Sequence, residues 1–230
     1  MSYGERPSSV PGLIRWRRTG SGERIRVLPD GCTDLILVGE KLLVAGPDTT
    51  AAVVDSTAEC YIGVRLPPGL ADRVFGVAAL ELRDQRLELD QVWPGSRAGG
   101  LRAAVLAAPA PLAVLERAVG DLLTARPRWT GFVLQAVRSG RPVSRIAAEL
   151  GWSARRLHRE SLRSFGYGPA MLGRILRFQR AVDLARTGLG LSAVAAEAGY
   201  ADQPHLAREA RSLAGVTMTQ LLTEPVAEIQ

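Results

Sequence analysis

The sequence predicts an α+β protein: a small β-rich N-terminal part with trailing helices, followed by an all-α C-terminal part. Three observations predict it. Short apolar or β-branched runs separated by Gly, Pro and Asp occupy the first third of the 230 residues, and longer runs with three-and-four spacing occupy the rest. A segment near the C-terminus occurs twice: Ile146-Ala147-Ala148-Glu149-Leu150-Gly151-Trp152 returns 48 residues later as Val194-Ala195-Ala196-Glu197-Ala198-Gly199-Tyr200. Past that turn the offset is 49, pairing Leu157 with Leu206, Arg159 with Arg208, Glu160 with Glu209 and Gly166 with Gly215. Charge is also uneven. Arg126 to Leu222 holds 15 arginines against 6 acids, whereas residues 1–125 hold 14 basic and 15 acidic groups.

The elements follow in order. Residues 1–24 are polar and punctuated by Pro and Gly, with no apolar core of signal-peptide type. No uncharged run reaches the roughly 18 residues of a membrane span, so a cytoplasmic protein away from membranes is expected. Arg24 to Leu28 alternates charged and apolar residues, and Pro29-Asp30-Gly31 makes a turn. Thr33 to Val38, Lys41 to Ala45, Ala51 to Val54 and Cys60 to Leu66 are further short strands, suited to a small antiparallel sheet or open barrel. Pro67-Pro68-Gly69 ends the strand region. Leu70 to Phe75 and Leu101 to Ala107 are short helices. Leu112, Leu115, Val119, Leu122 and Leu123 share a helix face that packs on the sheet, ahead of a domain link or a partner subunit as alternatives.

A junction is expected at Ala125 to Arg128, dividing the chain into residues 1–124 and 125–230. Beyond it the predicted helices are Trp129 to Ser139, Ser144 to Leu150, Ser153 to Phe165, Pro169 to Arg186, Ser192 to Ala198, Asp202 to Leu213 and Thr217 to Leu222. Ser144, Ser153 and Ser192 are candidate N-caps, and Pro169 suits a first helical position, where its missing amide hydrogen is not needed. Gly151 and Gly199 suit C-terminal caps.

A short helix, a Gly-aromatic turn and a second helix with an outward arginine is how a helix-turn-helix unit reads in sequence. In such a unit the first helix braces the second, which enters the major groove N-terminus first. Small apolar residues provide the bracing: Ile146, Ala147 and Leu150 in one copy, Val194, Ala195 and Ala198 in the other. Counted from the inward Leu157 and Leu206, the base-reading candidates are Arg155, His158, Arg159, Gln203 and Arg208. Arginine can donate twice to guanine and glutamine can pair with adenine. Ser153, Arg156, Arg163 and Arg211 are candidates for the DNA backbone. The C-terminal net charge of +9 is the footprint of a polyanion-binding domain.

Residues 141–222 resemble the DNA-binding domain of the AraC/XylS transcription regulators. The second copy carries the resemblance, as Ala195-Ala196-Glu197-Ala198-Gly199-Tyr200-Ala201-Asp202-Gln203-Pro204-His205-Leu206-Ala207-Arg208 and then Gly215-Val216-Thr217. The first copy matches as Ser153-x-Arg155-x-Leu157-x-Arg159 and Gly166-x-x-Pro169, with Arg174-x-x-Arg177-x-x-x-Ala181 on the helix between. The resemblance implies two helix-turn-helix units on one long helix, reading adjacent major-groove segments of double-stranded DNA. The sequence departs from the family where a large apolar residue is expected at Ser161 and Ala210, and proline at Met218. Leu162, Phe165 and Leu213 are candidates to refill those cores.

Val27-Leu28-Pro29-Asp30-Gly31-Cys32-Thr33-Asp34-Leu35-Ile36, Ala45-Gly46-Pro47-Asp48 and Gly63-Val64-Arg65-Leu66-Pro67-Pro68-Gly69 resemble a short β-rich domain seen ahead of this module. A reduced cupin-like sheet is the shape implied. Relatives imply sensing of a small-molecule effector or dimerisation, with the effector-binding residues unknown, and RNA polymerase as a further candidate partner.

The expectation is therefore a sequence-specific transcription regulator that is not an enzyme and uses no cofactor. Two alternatives stand beside it: a DNA-repair-type thiol methyltransferase with Cys32 as acceptor, or a DNA-binding protein whose N-terminal part is only a docking or dimer surface. The methyltransferases use a cysteine cluster holding zinc, and this chain has two cysteines. Cys32, Cys60, His158 and His205 lack ligand spacing, so no metal site is expected. Asp30 and Asp34 read as turn chemistry, and Trp16, Trp93, Trp129 and Trp152 as core or interface anchors.

Overall fold

The computed structural model describes residues 2–20, 22, 24–55, 58–123 and 127–223. Eight strands come first: β1 (Ser2–Pro7), β2 (Ile14–Thr19), β3 (Arg24–Val27), β4 (Thr33–Val38), β5 (Lys41–Ala45), β6 (Ala52–Asp55), β7 (Cys60–Leu66) and β8 (Arg86–Glu88). Between β7 and β8 lie α1 (Ala71–Phe75) and α2 (Ala79–Leu82); a 3₁₀ turn, α3 (Gly95–Ala107) and α4 (Pro111–Gly120) follow. The remaining described helices are α5 (Arg128–Arg138), α6 (Val143–Glu149), α7 (Ala154–Phe165), α8 (Pro169–Arg186), α9 (Leu191–Ala198), α10 (Gln203–Ala214) and α11 (Met218–Thr223). The molecule is α+β, an antiparallel sheet joined to a bundle of helices.

Six strands form one antiparallel sheet in the order β1-β2-β7-β4-β5-β8, and β3 pairs with β6 as a separate ribbon. Successive side chains on a strand point to opposite faces, so the large sheet has two different sides. Leu35, Val44, Val64 and Leu66 point to one side, into a core shared with Phe75, Leu82, Val105, Leu115 and Val119. The leucine-rich helix expected over residues 112–123 does pack there, although α4 ends at Gly120 and Leu122 and Leu123 follow it as a turn. The opposite side carries Trp16, Asp34, Ile36, Leu43 and Arg65 and faces the ribbon across a cavity. Gly46, at the end of β5, is required: a Cβ there would lie 1.7 Å from the Leu82 carbonyl oxygen, so a larger residue would push α2 off the sheet.

Three strands are additional to the expected set. β1, β2 and β8 are rich in arginine, glycine or proline, composition that reads as loop. Their burial comes from residues that sequence patterning scores as polar: Arg18 is only 5% exposed, and Trp16 donates its indole N–H to Asp34 at 2.6 Å. α3 begins six residues earlier than Leu101, because Gly95 to Gly100 continue the helix despite three glycines.

The helical part has two cores. Val133, Ile146, Leu157, Phe165, Leu172 and Ile175 form one; Phe178, Val182, Val194, Leu206, Leu213 and Met218 form the other. Ser161 and Ala210 are fully buried where the resemblance implies large side chains, and Phe165 and Leu213, about one helical turn further along, are each 1% exposed. Phe165 meets Trp129 edge-on at 5.8 Å. Leu162 stays half-buried and contributes less than expected.

The β-rich and helical parts are in direct contact. Leu28 belongs to the second helical core. Ala51 donates its backbone N–H to the Leu213 carbonyl at 2.7 Å, Gln179 Nε2 donates to the Pro29 carbonyl at 2.7 Å, and the Tyr167 hydroxyl donates to the Asp48 carbonyl at 2.6 Å. Of the expected junction, residues 125 and 126 lie outside the described residues. No helix among the described residues is long and apolar enough to cross a membrane.

Candidate nucleic-acid interface

Each repeated unit is a short helix, a left-handed glycine and a twelve-residue helix. Gly151 (φ 64°) and Gly199 (φ 80°) turn the chain where a side chain would be strained. The second helices start at capped, exposed ends. The Ser153 hydroxyl accepts from the Arg156 N–H at 3.2 Å, and the Asp202 carboxylate accepts from the His205 N–H at 2.6 Å. Ser144 and Ser192 are not caps. α6 and α9 begin one residue earlier, after Pro142 and Gly190, which leaves each serine inside its first turn.

On α7, Leu157 is buried, while Arg155, Arg156, His158 and Arg159 are exposed. Arg156 lies over the Trp152 ring at 4.4 Å, which holds its guanidinium beside the turn. His158 packs against Gly168, where a Cβ would come within 2.7 Å of the imidazole. Arg159 pairs with Glu160 at 2.9 Å and keeps most of its side chain in solvent. Arg163, near the C-terminal end of α7, is close enough to Asp72 of α1 to lower the latter's pKa. Burial outweighs that effect, and Asp72 stays above the usual carboxylate range.

On α10, Leu206 is buried and Gln203, Arg208 and Arg211 are exposed. The Gln203 amide oxygen accepts from the Ser192 hydroxyl at 2.7 Å, so its NH₂ group is the part left to meet a base. Thus the structure gathers Ser153, Arg155, Arg156, His158 and Arg159 around one helix start and Gln203 and Arg208 around the other. Arg163 and Arg211 stand further along their helices.

Sequence reasoning missed the groups that hold the second unit in place. Glu209, buried on α10, accepts from Arg174 Nε at 3.1 Å and from Arg174 Nη2 at 2.9 Å, and lies 3.8 Å from Arg177. Arg177 in turn covers the Tyr200 ring at 4.6 Å. Burial pushes the Tyr200 phenol up to about 12, so it stays protonated. The Glu160–Glu209 correspondence in the repeat was the available signal. A cleft of about 730 Å³ beside α8 is lined by Arg138, Arg141, Arg174, Arg177 and Arg180 together with Asp183 and Glu197.

Cys32 follows the Asp30 turn, where the carboxylate accepts from the Cys32 N–H at 2.8 Å. Burial first, and Asp30 next, push its thiol up, with Arg65 acting the other way. A methyl acceptor needs the opposite, an accessible thiolate. Asp34 does not stay in turn chemistry: it joins a buried cluster with Arg65 at 3.2 Å.

Residues 146–224 match a family described as a helix-turn-helix domain, and residues 13–88 match a domain of unknown function (DUF6597). Among curated proteins no sequence matches the chain. Among solved structures, ToxT from Vibrio cholerae O395 is 11% identical over 96% of this chain and 97% of that one, with a TM-score of 0.48. An unsaturated fatty acid-bound ToxT from strain SCE256 is 11% identical over 91% and 94%, with a TM-score of 0.43. Residues 146–224 are a double helix-turn-helix domain of the AraC/XylS type, joined to a β-rich domain of unknown function.

Proposed function

We propose that the protein is a one-component transcription regulator in which residues 125–230 read DNA and residues 1–124 adjust that reading. One observation supports it most: two capped helix starts, each behind a left-handed glycine, present Arg155, Arg159, Gln203 and Arg208 outward on one strongly basic domain. An α-helix fits the major groove, where every base pair shows a distinct donor and acceptor pattern. Arg155, His158 and Arg159 read one segment and Gln203 and Arg208 the next. Ser153, Arg156, Arg163 and Arg211 contact phosphates, which set position rather than sequence. The cavity beneath the ribbon favours a sensing role for the β-rich part over a bare docking surface. Cytoplasmic location, RNA polymerase as a partner and a second copy of the chain as a dimer partner complete the proposal.

The test is selection of bound fragments from genomic DNA by the full chain, followed by titration of the selected duplex at several salt concentrations. Specific binding that falls linearly on a log–log plot against salt is the expected outcome, since several phosphates are neutralised. Absence of any selected sequence, or affinity indifferent to salt, would overturn the assignment.

A further inference from the structure

The cavity between the large sheet and the β3–β6 ribbon measures about 320 Å³, near the small end of ligand pockets. Its walls are apolar: Ile25, Val27 and Val54 from the ribbon, and Ile36, Val38 and Leu43 from the sheet. One end is charged. There the Arg65 guanidinium, 8% exposed, meets Glu5 at 2.6 Å, Asp34 at 3.2 Å and Asp30 at 3.7 Å. Gly63 makes room for the Trp16 ring beside this cluster, since a Cβ at that position would lie 2.5 Å from the indole. Among the described residues one cation therefore stands among three carboxylates, and the Tyr3 hydroxyl also donates to Glu5. Glu5 has a 7% exposed side chain, and its Oε2 has no partner in the structure among the described residues. The other lining arginines are placed differently. Arg86 donates to Asp48 at 2.9 Å. Arg18 stands by Tyr61, four residues along β7 from Arg65 and so roughly 13 Å away.

Buried carboxylates without counter-charge are costly. A ligand cation beside Asp30 and Asp34 would add the missing charge to this cluster, whereas an anion would add a fourth negative group. Resting on the regulator reading above, we propose that this cavity binds a small cationic amphiphile, an organic amine or amidinium with an apolar body, whose charged end sits beside Asp30 and Asp34, the two carboxylates of the Arg65 cluster that line the cavity. The ribbon links this site to DNA reading. Ile25 and Val27 line the cavity, and Arg26 between them points the other way and donates to the Ala214 carbonyl at 2.8 Å. Ala51, just before β6, donates to the Leu213 carbonyl. Occupancy that shifts the ribbon moves the C-terminal end of α10, and with it Gln203 and Arg208.

The experiment titrates the full chain, without DNA, with phenethylamine, benzamidine and the matched anion 3-phenylpropanoate, by calorimetry at pH 7. The two cations should bind and raise the melting temperature, and the anion should not. Asp30→Asn keeps the oxygen that accepts from Cys32 and should weaken the cations at least tenfold. Val54→Phe fills the cavity and should abolish binding with every charge in place. Failure of both cations to bind, preference for the anion, or indifference to Asp30→Asn would overturn the ligand class. A separate titration of selected duplex with and without benzamidine should show at least a threefold change in affinity. An unchanged affinity with the ligand bound would overturn the link through the ribbon. Failure to bind any duplex would instead strike the regulator reading, which the ligand titration does not depend on.

Discussion

Arg65 is the residue on which most buried charge depends. Arg65→Leu leaves Glu5, Asp30 and Asp34 facing one another without a counter-ion, and removing one partner from such a group costs about 3–5 kcal/mol. Denaturant melts at neutral pH should show that loss; a cost near zero would mean that water reaches the cluster. Asp72 gives the opposite case. Burial raises its pKa above the ordinary carboxylate value, and its Oδ1 has no partner in the structure among the described residues. A carboxyl raised in the folded state adds stability below its unfolded pKa and loses it as pH rises through the folded pKa. Asp72→Asn should therefore raise the melting temperature at pH 7 to 8, with the gain shrinking as pH falls into the carboxylate range. A gain that grows on acidification would contradict the assigned shift. On the DNA side, Arg159→Ala and Arg208→Ala should each relax base preference at a separate position, at a cost of roughly 1–3 kcal/mol apiece. Binding measured across a panel of single-base variants checks this, and uniform weakening would make both arginines phosphate contacts.

The reading helices α7 and α10 depend on their first turns. Ser153→Ala and Asp202→Ala each remove an acceptor for an otherwise unpaired N–H, at about 0.5–2 kcal/mol, and footprints should weaken only over the segment read by the altered unit. These units were legible in sequence because their determinants are local: the repeat, the turn glycines and the inward Leu157 and Leu206 all lie within a few residues. Even there, Ser144 and Ser192 misled, since Pro142 and Gly190 start their helices one residue earlier. The Ser192 hydroxyl is instead the one that holds Gln203. Strands β4, β5 and β7 were legible from apolar runs bounded by turn residues. β1 and β2 were not, because their inward side includes Trp16, Arg18 and Glu5, whose burial is possible only with partners from distant strands. The cavity was hidden for the same reason: its charged end joins Asp30 and Asp34 to Glu5 and Arg65, far apart in sequence.

At the scale of the whole molecule, the β-rich part grips both reading helices at the ends away from their capped starts. α1 and α2 lie against the end of α7, where Arg83 donates to the Gly166 carbonyl at 3.2 Å. The ribbon holds the end of α10 through Arg26 and Ala51. α8, eighteen residues and about 27 Å long, is fixed between them by Leu172 against Gly31 and by Gln179 on Pro29. Such a brace constrains the separation of the two DNA-reading ends more tightly than α8 alone, and it makes folding of the two parts interdependent. Leu28 sits in the helical core, so unfolding the sheet opens a gap beside Phe178 and Leu213. Calorimetry of the full chain should consequently give one transition, with matching van't Hoff and calorimetric enthalpies. Tyr167→Phe deletes the hydroxyl that donates to Asp48, leaves the Asp48 carbonyl unsatisfied, and costs about 1–3 kcal/mol. Because that tie joins the two parts, the whole transition should move down together. Two resolved transitions in the native protein, with only one of them shifted by Tyr167→Phe, would show that the parts melt independently and that the brace does not couple them.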